Sequence, residues 1–412
     1  MAGVTDGMWI VGGYQSDFAR NWTKEGLGID GLVGEVARQT LADARIPAGR
    51  VGVVHVGNAF GPLMTGQSHL GAMPATVLDD LWGLPSSRHE AACASGSVAL
   101  MAAMADLESG RYDIALVLGV EVERNVPGDV ATGHLGAASW VGHEGTPRYV
   151  WPAAFSDLAE EYDRRYGLDD AHLHAIAATN TGNARDNPLA QTRAWRFTDA
   201  SFTADDEANP VVEGRTRRHD CSQITDGGAG VVLASDAAVR ADPSLLRRGH
   251  AARITGWGHR TVGLPLAPKL ARSATDTHVL PHVRDTFRDA LDRAGLDAVD
   301  DLHGVEVHDC FAMSEYMAID HIGLTAPGDS WKAVEDGTIA RDGRLPVNPS
   351  GGLIGGGHPV GATGVRMVVD ASRQVTDRAG GTQVAGATRF ATLNIGGSTA
   401  TTCAFVVDGT PA

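Results

Sequence analysis

Cysteine is scarce in this chain: Cys93, Cys221, Cys310 and Cys403 are the only four among 412 residues, and no two form a C-x-x-C pair. Neither a disulfide scaffold nor a zinc cluster is suggested, no metal is expected, and each cysteine has to be judged by its neighbours. Positive charge is also short. Thirty-four Lys and Arg face 50 Asp and Glu, a net charge of −16, which argues against a nucleic-acid partner because phosphate binding relies on basic surface. No apolar run approaches the roughly 18 to 20 residues of a membrane span. Met1 to Gly7 shows neither the charged nor the apolar region of a signal peptide. A cytoplasmic protein without membrane association is the expectation.

What is present fits a folded chain with ample core material, 43% hydrophobic and 20% charged, of a length that usually holds two domains or one duplicated domain. The 52 glycines gather in short loops rather than low-complexity tracts, which points to tight turns and close backbone approaches. An internal repeat organises the chain. WIVGG at 9–13 resembles ITGWG at 254–258, each a short apolar strand entering a glycine turn. A helical stretch follows each, GLVGEVARQTLADA at 31–44 and VRDTFRDALDRA at 283–294, and then a short strand, VVHVGNAF at 53–60 and VEVHDCF at 305–311. Gly57 falls opposite His308, so the second copy carries reactive side chains where the first carries plain ones. Strands alternating with helices predict a layered α/β structure, with further buried strands at 113–120, 229–234 and 401–407. The expected division is an N-terminal half over 1–245 and a C-terminal half over 246–412. Residues 124–218, richer in Trp, Arg, Asp and His, read as an insertion with amphipathic helices at 156–166 and 169–186, suited to substrate binding or to an oligomer contact.

Four motifs carry chemistry. In HEAACASGSVALMAAMADLESGRYDIALVLG, residues 89–119, Cys93 stands between a short strand and an Ala-rich helix. A thiol there meets unpaired backbone N–H groups, which predicts a lowered pKa and a reactive thiolate; on this segment alone a buried structural cysteine would look the same. In VNPSGGLIGGGHPVGATG, residues 347–364, His358 is framed by seven glycines over 351–364, so its imidazole is presented on a backbone that approaches a ligand closely. Histidine is the usual proton partner of a thiol near neutral pH. In VHDCFAMSE, residues 307–315, His308 and Cys310 lie two apart at a strand's terminal turn, facing one pocket with Asp309 directed elsewhere. A second thiol there suits acid–base work on the α-proton of a thioester, although a core Cys310 beside a strand-capping His308 is the plain alternative. In LNIGGSTATT, residues 393–402, Gly396 and Gly397 are expected at a strand start, exposing N–H groups suited to an oxyanion hole. HDCSQITDGGAGVVL at 219–233 reads as a structural junction, with Cys221 and Cys403 as core.

These motifs, in this order and over essentially the whole chain, resemble the thiolase superfamily. CASGS, NPSGGLIGGGHPVGATG and CSQITDGGAG match thiolase sequences residue by residue, and HDCF is similar to the sterol-carrier-protein type of thiolase, which uses it in place of an Asn-Glu-Ala-Phe loop. The resemblance implies a duplicated five-layered α-β-α-β-α fold with an inserted loop domain, a homodimer or homotetramer, and coenzyme A thioesters as substrates with no bound cofactor. It implies that Cys93 becomes acylated while His358 accepts its proton, that His308 holds a water which with His358 stabilises the thioester enolate oxygen, and that Cys310 moves the α-proton. The N–H groups of Cys93 and Gly397 would form a second oxyanion hole. The implied activity is an acyl-CoA acyltransferase performing Claisen condensation or thiolytic cleavage of a 3-ketoacyl-CoA. Two other readings stand beside it: a biosynthetic relative passing the acyl group to, or condensing it on, a non-CoA acceptor or carrier protein, and a noncatalytic or scaffolding subunit of a complex with a small acyl-CoA-binding partner protein. Two departures from the family pattern matter. Asn394 stands where many thiolases have the cysteine of a Cys-x-Gly loop, leaving Cys310 to replace it, and Ser314-Glu315 follows HDCF where relatives often have Asn-Glu.

Overall fold

A computed structural model describes residues 8–144 and 147–410; Met1 to Gly7, read above for a leader, lies outside them. Alternating apolar segments form eleven strands: β1 Met8–Gln15, β2 Val53–Gly57, β3 Ser86–His89, β4 Ile114–Glu121, β5 Val211–Glu213, β6 Thr216–Arg217, β7 Gly227–Ala234, β8 Ala252–Thr261, β9 Val305–Val307, β10 Arg389–Gly396 and β11 Thr401–Gly409. All but the β5–β6 hairpin join one mixed sheet in the order β3-β2-β4-β7-β1-β8-β11-β10-β9. The repeat in the sequence is visible as topology. β2 lies parallel to β4 as β9 lies parallel to β10. The next pairs, β4–β7 and β10–β11, are antiparallel, and so are β7–β1 and β11–β8. The two series meet at β1 and β8, which pair over Met8↔Ile254, Trp9↔Arg253 and Ile10↔Ala252.

The period-two alternation of the strands sorts their side chains into separate cores. In β11, Cys403, Phe405 and Val407 enter the same core as Ala115 and Val117 of β4. Helices Ser95–Glu108 and Thr363–Gln374 fill that shared core, sandwiched between the two halves of the sheet. On the outer faces, Leu116 and Leu118 pack with helix Ile29–Ala44, while Ala404 and Val406 pack with helices Pro281–Ala294 and Ala312–His321. The result is the five-layered α-β-α-β-α arrangement expected from the resemblance. The Thr363–Gln374 helix is buried almost throughout its length, and its one deep cation, Arg366, is held by Glu306 at 2.9 Å and Asp370 at 3.0 Å.

The 124–218 region carries helices Val150–Tyr166 and Asp170–Ala184 and the β5–β6 hairpin. The first helix begins six residues before the expected start, because Pro152 sits in its opening turn, where the missing N–H is tolerated. No helix among the described residues is long and apolar enough to cross a membrane.

Candidate active site

Cys93 follows β3 on a tight turn in which Ala92 takes a positive φ of 50°. That strained residue is held by Ser95, whose hydroxyl donates to the Ala92 carbonyl at 2.6 Å and accepts the Ala91 N–H at 2.9 Å. The helix that follows comes unusually close to the His358 loop. A Cβ on Gly96 would lie 2.9 Å from the Gly361 carbonyl, and one on Gly364 would lie 2.2 Å from the Ser97 hydroxyl. Glycine at these crossings is what lets the first and second motifs touch.

The tautomer of His358 follows from its partners. The Thr363 hydroxyl donates to the Pro359 carbonyl at 3.1 Å, so at 2.7 Å from His358 Nδ1 it accepts the imidazole N–H. His358 Nε2 is left as a buried lone pair with no partner in the protein. The backbone N–H of His358 is itself held by the Thr225 hydroxyl at 3.0 Å. The reactive atoms of Cys93, His308 and His358 lie within 4.8 Å of one another, and the two imidazole rings meet edge to face at 5.1 Å. Among the described residues this is the one group whose donor atoms converge closely enough for a metal ion. It equally suits proton exchange between a thiol and an imidazole.

Asn394 completes the cluster. Its Oδ1 accepts from His308 Nδ1 at 2.9 Å and from the Ile395 N–H at 3.2 Å, while its Nδ2 donates to the Ser97 hydroxyl at 2.8 Å and to the Cys93 carbonyl at 3.3 Å. His308 therefore carries its proton on Nδ1 and keeps Nε2 as an acceptor. Sequence reasoning saw Asn394 only as a missing thiol. In the fold it ties the helix that follows Cys93 to His308, a role whose only sequence signal is an amide in a strand of apolar and small residues.

Burial sets the protonation states. It pushes the Cys93 thiol up to about 12, with Glu123 adding to the rise, against the backbone N–H groups of Gly397 and Cys93 itself, which point at the sulfur and favour the thiolate. The lowered pKa expected from the helix start is thus overturned. Two N–H groups do not offset the loss of water around the sulfur. His358 is driven down to about 3, by burial first and the charge of Arg366 second. His308 falls well below its usual value for the same reasons, with His358 contributing. The resting site is a neutral thiol among neutral imidazoles.

Cys310 and Cys93 both line one cavity of about 250 Å³, walled by Phe60, Trp151, Phe155, Phe311, Ile224 and Val360 and bordered by Glu123 and Arg218. The Cys310 thiol is pushed well above its ordinary value by burial and by Cys93, and Ser314 lies at 4.0 Å from its sulfur. Cys403 is core, as expected. Cys221 packs against the core beside Cys310 and Phe311, half-buried, and also borders the cavity, with its backbone bridged to Phe311. Gly397 sits in the turn after β10 with φ of 62°, and Gly396 closes that strand. The expected strand start is therefore a strand end and hairpin turn: Gly396, paired with Thr401, is the last ladder residue of β10, and Gly397 opens the turn.

Asp309 does point elsewhere. It accepts the Leu353 and Ile354 N–H groups at 2.6 and 3.2 Å, and Asn180 at 2.8 Å, pinning the glycine-rich loop. Glu315, which follows the departure at Ser314, accepts from Asn180 at 2.7 Å and from Asn348 at 2.6 Å in the same buried network. Two helices of the 124–218 region thus divide the work: Asp170–Ala184 braces the His308 and His358 loops through Asn180, and Val150–Tyr166 lines the cavity with Trp151 and Phe155.

With this geometry in place, comparison with known proteins is informative. The family model described as thiolase, N-terminal domain, matches residues 8–199, and the thiolase C-terminal domain-like model matches 269–408. An acetyl-CoA acetyltransferase of Methanothermobacter thermautotrophicus is 30% identical over 398 residues, covering 94% of this chain and 96% of the relative. Human sterol carrier protein 2 is 26% identical over 405 residues, covering 94% of this chain and 70% of the relative. Among solved structures, a chain of an Ltp2-ChsH2(DUF35) aldolase has a TM-score of 0.76 at 20% identity, covering 98% of both chains. The acetyl-CoA acetyltransferase from Syntrophomonas wolfei has a TM-score of 0.69 at 17% identity, covering 98% of this chain and all of the other. These two likenesses show the shared fold, and the family matches go further: the chain belongs to the thiolases.

Proposed function

We propose that this protein is an acyl-CoA acyltransferase that forms an acyl-thioester on Cys93 and catalyses thiolytic cleavage or Claisen condensation of a 3-ketoacyl-CoA. The observation that carries the reading is the convergence of Cys93, His308 and His358 within 4.8 Å, with the Gly397 N–H aimed at the same sulfur. Because thiol and imidazole both rest neutral, the Cys93 proton passes to His358 Nε2 as the sulfur attacks the thioester carbonyl. The carbonyl oxygen is then received by the N–H groups of Cys93 and Gly397. Coenzyme A leaves with the proton from His358, and the acyl group stays on Cys93.

In the second half-reaction Cys310 exchanges the α-proton. In the condensation direction Cys310 first passes its thiol proton to His358 Nε2 and, as the thiolate, removes the α-proton from the second thioester, while the enolate oxygen is held by the protonated His358 and a water on His308 Nε2. The enolate carbon attacks the acyl group, and Cys93 departs as a thiolate that is reprotonated through His358. The reverse steps give cleavage, for which Cys310 in its resting thiol form is already the acid. Asn394 takes no proton in either direction; it holds His308.

The same reading includes the division at 245/246 with 124–218 as the inserted loop domain, a homodimer or homotetramer, and a small acyl-CoA-binding partner subunit. The free outer edge of β3 supports self-association. The likeness to a chain of the Ltp2-ChsH2(DUF35) aldolase supports the partner. Incubation with acetyl-CoA followed by mass spectrometry of the Cys93 peptide tests the core of the proposal. Acylation at Cys93 and thiolysis of acetoacetyl-CoA are expected, and a Cys93→Ala protein that turned over normally would sink it. Acylated Cys93 without thiolysis would favour transfer to a non-CoA acceptor.

A further inference from the structure

The turn that carries Gly397 is held by a buried lysine that the reaction above does not use. Lys269, on the short helix Leu266–Arg272, is only 6% exposed. Its ammonium donates to the Ser398 carbonyl and, at 3.0 Å, to the Ser398 hydroxyl. That hydroxyl donates in turn to the Leu264 carbonyl at 2.9 Å. His282 Nε2 bonds the Thr399 carbonyl at 3.0 Å, and the Val262 N–H donates to the Ala400 carbonyl at 2.8 Å. Three successive carbonyls, of residues 398, 399 and 400, are thus each bound by a group from outside the turn.

Something has to hold the turn in this way. Gly397 and Thr399 both have φ of 62°, a conformation that a threonine adopts only when its surroundings over-determine it. A buried ammonium is itself costly. Burial lowers Lys269 to about 8 against the favourable charge of Glu144, and neighbouring His282 is kept neutral by burial at about 4. A buried methionine would fill the same space at less cost if filling were the only task.

We propose that Lys269 is a positioning residue for the acyl-oxygen site: its grip on Ser398 holds the 397–400 turn in the arrangement that aims the Gly397 N–H at Cys93. The inference rests on the acyl-Cys93 reading, and its test separates the two. Single-turnover acylation of Cys93 by acetyl-CoA is followed in the full-length protein for the wild type, Lys269→Met, Lys269→Gln and Ser398→Ala, with thermal unfolding run alongside. Complete loss of one oxyanion donor costs about 10²- to 10³-fold, so a misaimed donor in Lys269→Met is expected to slow acylation about tenfold to a hundredfold with KM little changed. Lys269→Gln, whose amide still donates, recovers much of the rate, and Ser398→Ala loses the least.

Should Lys269→Met fail to fold, Lys269→Ala with added ethylammonium, which restores a cation in the vacated space, serves in its place. A folded Lys269→Met with the wild-type acylation rate overturns the inference, as does Lys269→Ala that ethylammonium leaves unchanged. A wild type that is never acylated at Cys93 overturns the functional reading instead.

Discussion

The ends of β2 and β9 hold equivalent places in the two halves of the sheet, and they carry opposite chemistry. At the end of β2, Gly57 has no side chain because one would lie 2.7 Å from the Cα of Gly96. Asn58 beside it is spent on structure, donating to Glu121 at 2.8 Å and to the Val120 carbonyl at 3.0 Å. At the end of β9 stand His308, Asp309 and Cys310, of which two face the reacting centre and the third pins the His358 loop. In the proposed reaction the two copies of the strand-helix-strand unit thus divide the labour. The first copy leaves room for the helix after Cys93 to press inward, and the second carries side chains that act in that reaction.

The comparison breaks most severely at the nucleophile. Cys93→Ala should remove turnover by about 10⁴-fold or more, as loss of the nucleophile does in acyl-transfer enzymes, measured by acetoacetyl-CoA thiolysis. His358→Ala should lose about 10²- to 10⁴-fold, the range of a general base. Substitution at the end of β9 has a different signature. Cys310→Ala should leave acylation of Cys93 intact while condensation and cleavage fall about 10²-fold or more, read by following the two half-reactions separately. If Cys310→Ala blocked acylation as well, the two strand ends would not divide the chemistry as described.

Asn394 sharpens the comparison, since it joins the two copies through Ser97 and His308. Asn394→Ala frees His308 to change tautomer, and the loss is expected at about tenfold to a hundredfold in the second half-reaction. An acylation rate that fell by the same factor would show that Asn394 serves the nucleophile's helix rather than His308.

These tests also mark what was legible in the sequence. The strand-helix-strand repeat and the strands at 113–120, 229–234 and 401–407 were readable because alternation and helical spacing are local signals. His358 was readable because seven glycines around one histidine have few structural uses. The bond from Asn394 to Ser97 was not, since it joins residues 297 positions apart and depends on how the central helices cross. Nor was the Cys93 thiol's rise to about 12: the helix start is visible in sequence, whereas the burial that overrides it comes from both halves closing around the sulfur. Cys221 packs against the core as read, but its place on the cavity wall was not legible, since it follows from the bridge that sets it beside Phe311.

The smallest expected effect lies in the network behind the β9 end and concerns stability rather than rate. Glu315 is buried beside Asp309, and burial first, then that neighbour, pushes its carboxyl up to about 8. A carboxyl raised on folding prefers to stay protonated, so its contribution to stability is fully present below its ordinary value of 4.5 and is lost as pH rises through about 8. Asp309, raised to about 6, and Glu306, raised to about 7, act in the same direction over the lower part of that window. The wild type should therefore lose stability to urea between about pH 4.5 and 8. Glu315→Gln keeps an oxygen for Asn180 and Asn348 but has no proton to lose, so its stability should fall less steeply across the upper part of the window. The β2 end adds a counterpart over the lower part of the window, where Glu121 accepts the Ala59 and Phe60 N–H groups at 2.8 and 3.1 Å and burial raises it to about 7. Glu121→Gln should flatten the fall mostly around and below pH 7 and change the slope near pH 8 less than Glu315→Gln does. If it flattened that slope as much as Glu315→Gln did, the titrating strain would belong to both strand ends and the asymmetry between them would be confined to catalysis.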